Sequence, residues 1–442
     1  MSVGNLPDPD YLLDAAQKAL SGGDWTRAEA MALQCVAARP DDAYAWYILG
    51  NARSMGRATD DARHAFRRAI ELDPDLPDAH CGLADLYLQR GEDRRGLDLF
   101  VDVLRRWPDF APAAMMLGHA LRARGDPAGA GAAFVWASRA WPELPEAIEQ
   151  VLDSAATLVE RGRDAPVQPP SVREPVPLIS FVVCSITPAK LESARASLAA
   201  SLAGADWELV HVPDAVSLCE GYNRGLAQSR GALVVFCHDD IEVLVGQLHL
   251  RLAQALREYD VVGVAGCSLL KGPSWVWTGA PHAHGFIAHA VADGRISCRA
   301  YSLAGPGIGS IQALDGVFIA CRREAAEALR FDDVTFDHFH LYDTDFSYRA
   351  HRAGCRVGVD TGLRLLHYSG GRDTGGHWRT QAERFLAKHR LPPPGPAEPL
   401  AGADVIVPDA ATAVRVFAWL EHWQSQAPGQ TKGPANKGAR VI

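Results

Sequence analysis

The tripeptide His238-Asp239-Asp240 directly follows the apolar run ALVVFC at 232–237. Two carboxylates and an imidazole at the exit of a buried strand are poorly placed for packing, because a charge loses its hydration there. They suit a divalent cation, and hard oxygen ligands favour Mg²⁺ or Mn²⁺. A pair of aspartates after a strand also makes a helix N-cap, so Asp239 keeps both readings, ligand or cap. Further along stand Tyr342-Asp343-Thr344-Asp345, His367-Tyr368-Ser369, and a loop-rich stretch at 272–310 holding Trp275, Trp277, His282, His284 and His289. A zinc site at His282-Ala283-His284 lacks any supporting cysteine or carboxylate spacing.

These residues need a scaffold. ISFVVC (179–184), WELVHV (207–212), ALVVFC (232–237) and DVVGVAGC (260–267) read as short buried strands. Amphipathic stretches near 189–203, 217–229 and 244–258 separate them. Strands alternating with helices predict an α/β domain whose sheet is covered on both faces. Ligands of such sheets bind at the carboxyl ends of the strands, so the loops after Cys184, Val212 and Cys237 are the ones to inspect.

The first third of the chain is periodic. Pro40, Pro74, Pro108 and Pro142 stand 34 residues apart. Ala32, Phe66, Phe100 and Phe134 lie eight residues ahead of them, and Ala28, Ala62, Gly96 and Ala130 twelve ahead. Small residues let antiparallel helices approach, the aromatic fills the gap between units, and proline ends the second helix. With Trp46, Leu49, Gly50, Ala62, Phe66, Ala69 and Pro74, the pattern resembles the tetratricopeptide family, which implies an α-solenoid with a concave face for a protein partner. The segment EAIEQVLDSAATLVERG after Pro145 reads as a capping helix.

The expected organisation is therefore multidomain, α plus α/β. A repeat array with its cap spans 9–164, a linker with five prolines spans 165–177, the sheet domain spans 178–391, and a partly disordered extension spans 392–442. Within that extension, 408–423 reads as one more helix. The formal net charge of −9 excludes a general nucleic-acid binder. No transmembrane segment is expected, because no apolar run approaches the roughly 18–20 residues that span a bilayer. MSVGNLPDPD lacks the features of a secretory signal. Nine scattered cysteines without a CxxC pair fit reduced thiols and a cytoplasmic location.

Four motifs of the second domain occur in order: Gly221-Tyr222-Asn223-Arg224-Gly225 leading into HDD, Leu314-Asp315-Gly316-Val317-Phe318, Tyr342-Asp343-Thr344-Asp345-Phe346, and His367-Tyr368-Ser369. Together they resemble family 2 glycosyltransferases of the GT-A fold, whose sheet is mixed and mainly parallel. His238 stands where that family has its first aspartate, and Tyr342 where it usually has a glutamate.

The resemblance implies transfer of a sugar from a nucleoside diphosphate sugar to an acceptor hydroxyl, with inversion. It implies Asp240, His238 and His367 as ligands of Mn²⁺ or Mg²⁺, and Asp343 as general base. Ser185, Thr187, Asp214, Asn223 and Asp239 fall on the donor side, and UDP is the commonest carrier in such enzymes. Asp315, Gly316, Asp345 and Trp277 fall on the acceptor side. Tryptophans on glycine-rich loops stack on sugars or form a small satellite core. The acceptor is a protein or a glycan.

Two alternatives belong to other classes. One is a repeat scaffold whose transferase domain is catalytically dead, as the changes at His238 and Tyr342 would allow. The other, a nucleotidyltransferase, lacks a glycine- and basic-rich phosphate loop, since the first strand is followed only by CSITPAK.

Overall fold

The computed structural model describes residues 8–166, 175–369, 376–396 and 398–426. Aspartates open several of its early helices: Asp24 accepts from the Arg27 amide, Asp42 from Ala45 and Asp126 from Gly129. Each bond satisfies an amide that has no partner inside the helix. Eight helices follow in pairs: α1 (Pro9–Ser21) with α2 (Trp25–Ala38), α3 (Ala43–Met55) with α4 (Thr59–Leu72), α5 (Pro77–Gln89) with α6 (Asp93–Arg106), and α7 (Ala111–Ala123) with α8 (Pro127–Ala140). The periodic prolines lie just past α2, α4, α6 and α8, where the chain must turn.

Between successive pairs the aromatic wedge is visible. A Cβ at Gly50 would come within 2.6 Å of the Phe66 ring, and one at Gly82 of the next pair would also collide with it. Phe66, Phe100 and Phe134 are fully buried. We expect Phe66→Ala to destabilise the array by about 3–5 kcal/mol, because the structure around a deleted core ring relaxes only partly. Chemical denaturation read by helix signal checks this, and a loss near zero would mean the wedge carries no packing.

The chain divides into two compact units, one ending at Trp141 and one beginning at Pro142. The second opens with α9 (Pro145–Glu160), the segment read as a cap. Its buried face, including Val151, Leu152 and Ala155, packs on β14 (Ala403–Val407) and α16 (Ala410–Gln424). The helix expected at 408–423 is therefore present, and the strand ahead of it pairs with β8 (Ile296–Ala300). Residues 167–174 of the linker, Gly370 and Gly371, and the tail at 427–442 lie outside the described residues.

The main sheet has the order β2-β1-β3-β11-β5-β12-β9. Strands β1 (Ile179–Cys184), β2 (Trp207–Val212) and β3 (Leu233–Cys237) run parallel. β11 (Phe318–Arg322) lies antiparallel between β3 and β5 (Val261–Gly263). β12 (Val357–Asp360) is parallel to β5, and β9 (Gly307–Ile308) closes the edge antiparallel. The stretch 260–267, read as one strand, is two: β6 (Ala265–Cys267) leaves for a second sheet of order β10-β6-β7-β13-β4. That sheet holds β4 (Ile241–Val243), β7 (Ala283–Ala290), β10 (Ala313–Leu314) and β13 (Leu365–His367).

The crossover helices are α10 (Pro188–Ser201), α11 (Leu218–Gln228) and α12 (Leu248–Glu258), with α13 (Arg323–Leu329), α14 (Tyr342–Arg352) and α15 (His377–His389) further along. β1 and β3 are buried on both faces, as strands covered by helices must be. Among the described residues no helix is long and apolar enough to cross a membrane.

Candidate active site

His238 leaves β3 at its carboxyl end, with its backbone amide donating to the Val317 carbonyl (3.1 Å). β4 starts immediately afterwards and pairs antiparallel with β13, placing Ile241 opposite His367. The Tyr368 amide then donates to the Asp240 carbonyl (3.0 Å). Backbone register alone thus carries His367 to the HDD turn. His367 Nε2 lies 3.3 Å from Asp240 Oδ1 and 3.2 Å from His238 Nδ1. One ligand atom from each of His238, Asp240 and His367 falls within 4.8 Å of the others.

This donor set fits a divalent cation. Asp240 is 8% exposed. Burial opposes its ionisation, yet hydrogen bonds to His367 and Ser369 and the nearby imidazoles hold its carboxyl well below the usual carboxylate range. Burial, reinforced by the neighbouring His367, lowers the His238 pKa and favours the neutral ring a metal ligand must be. Two imidazoles beside one carboxylate favour Mn²⁺ over Mg²⁺, which prefers oxygen. Lys190 at the start of α10 sets its ammonium 3.4 Å from Asp240 Oδ2.

Asp343 occupies the first turn of α14, after Leu341 in the left-handed region (φ 61°). A buried leucine held there stores roughly 1–3 kcal/mol of strain, a cost typical of functional turns. Gly316 makes the close approach possible, since a Cβ there would stand 2.8 Å from the Asp343 Cβ and collide with the Tyr342 hydroxyl. Asp315 steadies the turn by accepting from the Val317 amide (2.9 Å). Burial and then the Asp315 charge push the Asp343 carboxyl up to about 7, against the pull of backbone amides. Tyr342 joins the two halves of the site, its hydroxyl 2.7 Å from His238 Nε2.

The remaining candidates divide. The Ser185 hydroxyl donates to Asp239 Oδ2 (2.6 Å), which ties the exits of β1 and β3 together. Thr187 sits in the same turn, its amide bonded to Ser185 Oγ (3.2 Å). Asp214 is exposed and paired with Arg224 (2.9 Å). Asn223 is buried away from solvent. Its amide donates to the Phe331 carbonyl (2.8 Å) and its oxygen accepts from the Phe331 amide (2.9 Å), so it braces a loop.

Trp277 packs its ring against Trp378, with centroids 5.5 Å apart. Asp345 is buried and does not share the setting of Asp343. Two residues beyond Asp343 it points about 200° around the helix. There it accepts from Arg349 (2.7 Å), Lys388 (2.6 Å) and His389 (2.8 Å), pinning α14 to α15.

Sequence reasoning gave no role to Tyr342, Lys190 or Ser369, and placed His289 only within a loop-rich stretch. His289 is the register partner of His367 on the adjacent parallel strand, with ring centroids 5.7 Å apart. Its Nδ1 is buried without a hydrogen-bond partner.

Comparison with known proteins finds one family in each of two parts of the chain. Residues 180–388 match the glycosyltransferase-like family, and residues 13–77, 51–93 and 81–145 match the tetratricopeptide repeat. A thermophilic TPR protein of Thermus thermophilus is 17% identical, with 35% of this chain and 84% of that one covered and a TM-score of 0.31. MamA of Desulfovibrio magneticus RS-1 is 18% identical, covering 35% and 85%, with a TM-score of 0.28. PilF of Pseudomonas aeruginosa is 15% identical, covering 34% and 69%, with a TM-score of 0.31.

Proposed function

We propose that this chain, tetratricopeptide repeats followed by a glycosyltransferase-like domain, moves a sugar from a nucleoside diphosphate donor to an acceptor hydroxyl. The observation that carries the reading is the His238-Asp240-His367 ligand set, joined through the His238–Tyr342 hydrogen bond to the helix start where the Asp343 carboxyl is pushed up to about 7. A divalent cation bound there would neutralise charge developing on the leaving diphosphate.

The chain's own residues supply the rest. Asp343 takes the proton of the acceptor hydroxyl as it attacks the anomeric carbon, from the side opposite the diphosphate, which inverts that centre. Asp315 and Gly316 shape the acceptor side, while Ser185, Thr187 and Asp239 line the donor side at the exits of β1 and β3. Lys190, its ammonium beside Asp240, would offer a phosphate oxygen a cation. UDP is the first carrier to test. The repeats recruit a protein, either the acceptor itself or a partner that brings a glycan acceptor. All nine cysteines are free thiols, which fits a cytoplasmic enzyme.

The test is a donor-hydrolysis and transfer screen across nucleotide sugars with and without Mn²⁺. Metal-dependent turnover of one donor supports the reading, and no turnover of any donor favours a non-catalytic scaffold. A pH profile follows from the same site. Asp343 accepts a proton only when ionised, and its raised value leaves it neutral below about 7. Turnover should therefore climb with pH through about 7, falling roughly tenfold per unit on the acid side. A flat profile between pH 5 and 8 would remove Asp343 from the base role.

A further inference from the structure

Tyr342 stands where the resemblance leads one to expect a glutamate, and its hydroxyl is not idle. An imidazole that ligates a cation uses one nitrogen lone pair and carries its proton on the other nitrogen, which then needs an acceptor. In His238 the two nitrogens face different neighbours. Nδ1 lies 3.2 Å from His367 Nε2 and 3.9 Å from Asp240 Oδ1, inside the ligand cluster. Nε2 lies 2.7 Å from the Tyr342 hydroxyl, outside it. Resting on the cation reading of this site, we propose that Tyr342 is a positioning residue that accepts the His238 Nε2 proton and so holds Nδ1 as the ligating nitrogen.

The surroundings fix the tyrosine for that task. Its ring is 4% exposed and packs on Tyr222 and Phe331, with centroids 5.7 and 6.3 Å away. The bare Cα of Gly316 leaves the space its hydroxyl occupies. It shares the first turn of α14 with Asp343, so one helix end orients a ligand and carries the proposed base. A hydroxyl also suits the charge balance better than a carboxylate. Asp239, Asp240 and Asp315 already bear on His238, and burial keeps the phenol protonated and neutral. A glutamate would supply the acceptor but add another negative charge to a cluster that has Lys190 beside Asp240.

The experiment compares the full-length chain with Tyr342→Phe and Tyr222→Phe, titrated with Mn²⁺ alone and read by calorimetry and electron paramagnetic resonance. Tyr222 is the matched control, because its hydroxyl is buried beside the site and makes no hydrogen bond. Tyr342→Phe keeps the ring and deletes only the acceptor, so Mn²⁺ affinity should weaken by roughly 10–100-fold, the range of outer-shell substitutions. Tyr222→Phe should stay within about twofold of wild type.

A second measurement does not depend on any variant folding. Nitrogen-15 spectra of histidine-labelled wild type with diamagnetic Mg²⁺ should show the His238 proton on Nε2. A proton on Nδ1, or a Tyr342→Phe affinity equal to wild type, overturns the assignment. If wild type itself takes up no Mn²⁺, the cation site and the tyrosine's role fall together. Wild-type uptake that survives Tyr342→Phe unchanged sinks the tyrosine's role alone.

Discussion

Asp343→Asn should lower sugar transfer by roughly 10²–10⁴-fold while leaving Mn²⁺ affinity close to wild type, the loss expected when a positioned general base is removed. The amide is nearly isosteric, so the turn against Gly316 survives and the cation ligands, in the turn after β3 and on β13, are untouched. What disappears is the group able to take a proton from an alcohol whose own acidity is negligible at neutral pH. The remaining activity should also lose its rise through pH 7, because the group that titrates there is gone. Single-turnover rates with a saturating donor, set beside a metal titration of the same variant, separate the two effects. A variant that keeps a tenth or more of wild-type turnover would move the base to another residue, with Asp315 first in line.

The second large effect belongs to Asp240. It is the only carboxylate in the His238-Asp240-His367 set, and both imidazoles lie against one of its oxygens. Asp240→Asn keeps the shape but deletes the charge that draws a dication to the two imidazoles. Mn²⁺ affinity should fall by more than the roughly 10–100-fold typical of outer-shell changes, and turnover should fall with it. The fold should hold, since the backbone of Asp240 stays bonded to Tyr368 in the β4–β13 ladder. Metal titration and a thermal melt without metal check both halves. Undiminished Mn²⁺ binding would place the cation elsewhere.

Much of this is legible in the sequence. The repeats declare themselves because a 34-residue period fixes small, aromatic and proline positions at once. HDD at the exit of an apolar run points to the cleft because strand exits gather ligands in such sheets. What stayed hidden depends on distant pairing. His367 entered the ligand set only through the family resemblance, since its route to Asp240 is a two-strand register, and His289 reaches His367 through another that nothing in the sequence marked. Neither pairing leaves a local trace.

Tyr342 read as a defect because its partner, His238, is 104 residues away. Asn223 and Asp345 had the right chemistry for a site, yet partners 108 and 43 residues distant take up their hydrogen bonds. The strand at 403–407 carries only five residues beside a glycine, and it makes sense only against β8. The cap-like face of α9 likewise needed the C-terminal helix to explain what covers it.

The central claim is that a cation and a nucleoside diphosphate bind together beside Asp240. Calorimetry of UDP binding with Mn²⁺ present and then with a chelator addresses it directly. The account predicts clear binding with metal, lost on chelation and lost in Asp240→Asn. Equal binding with and without metal, or none under either condition, would contradict it.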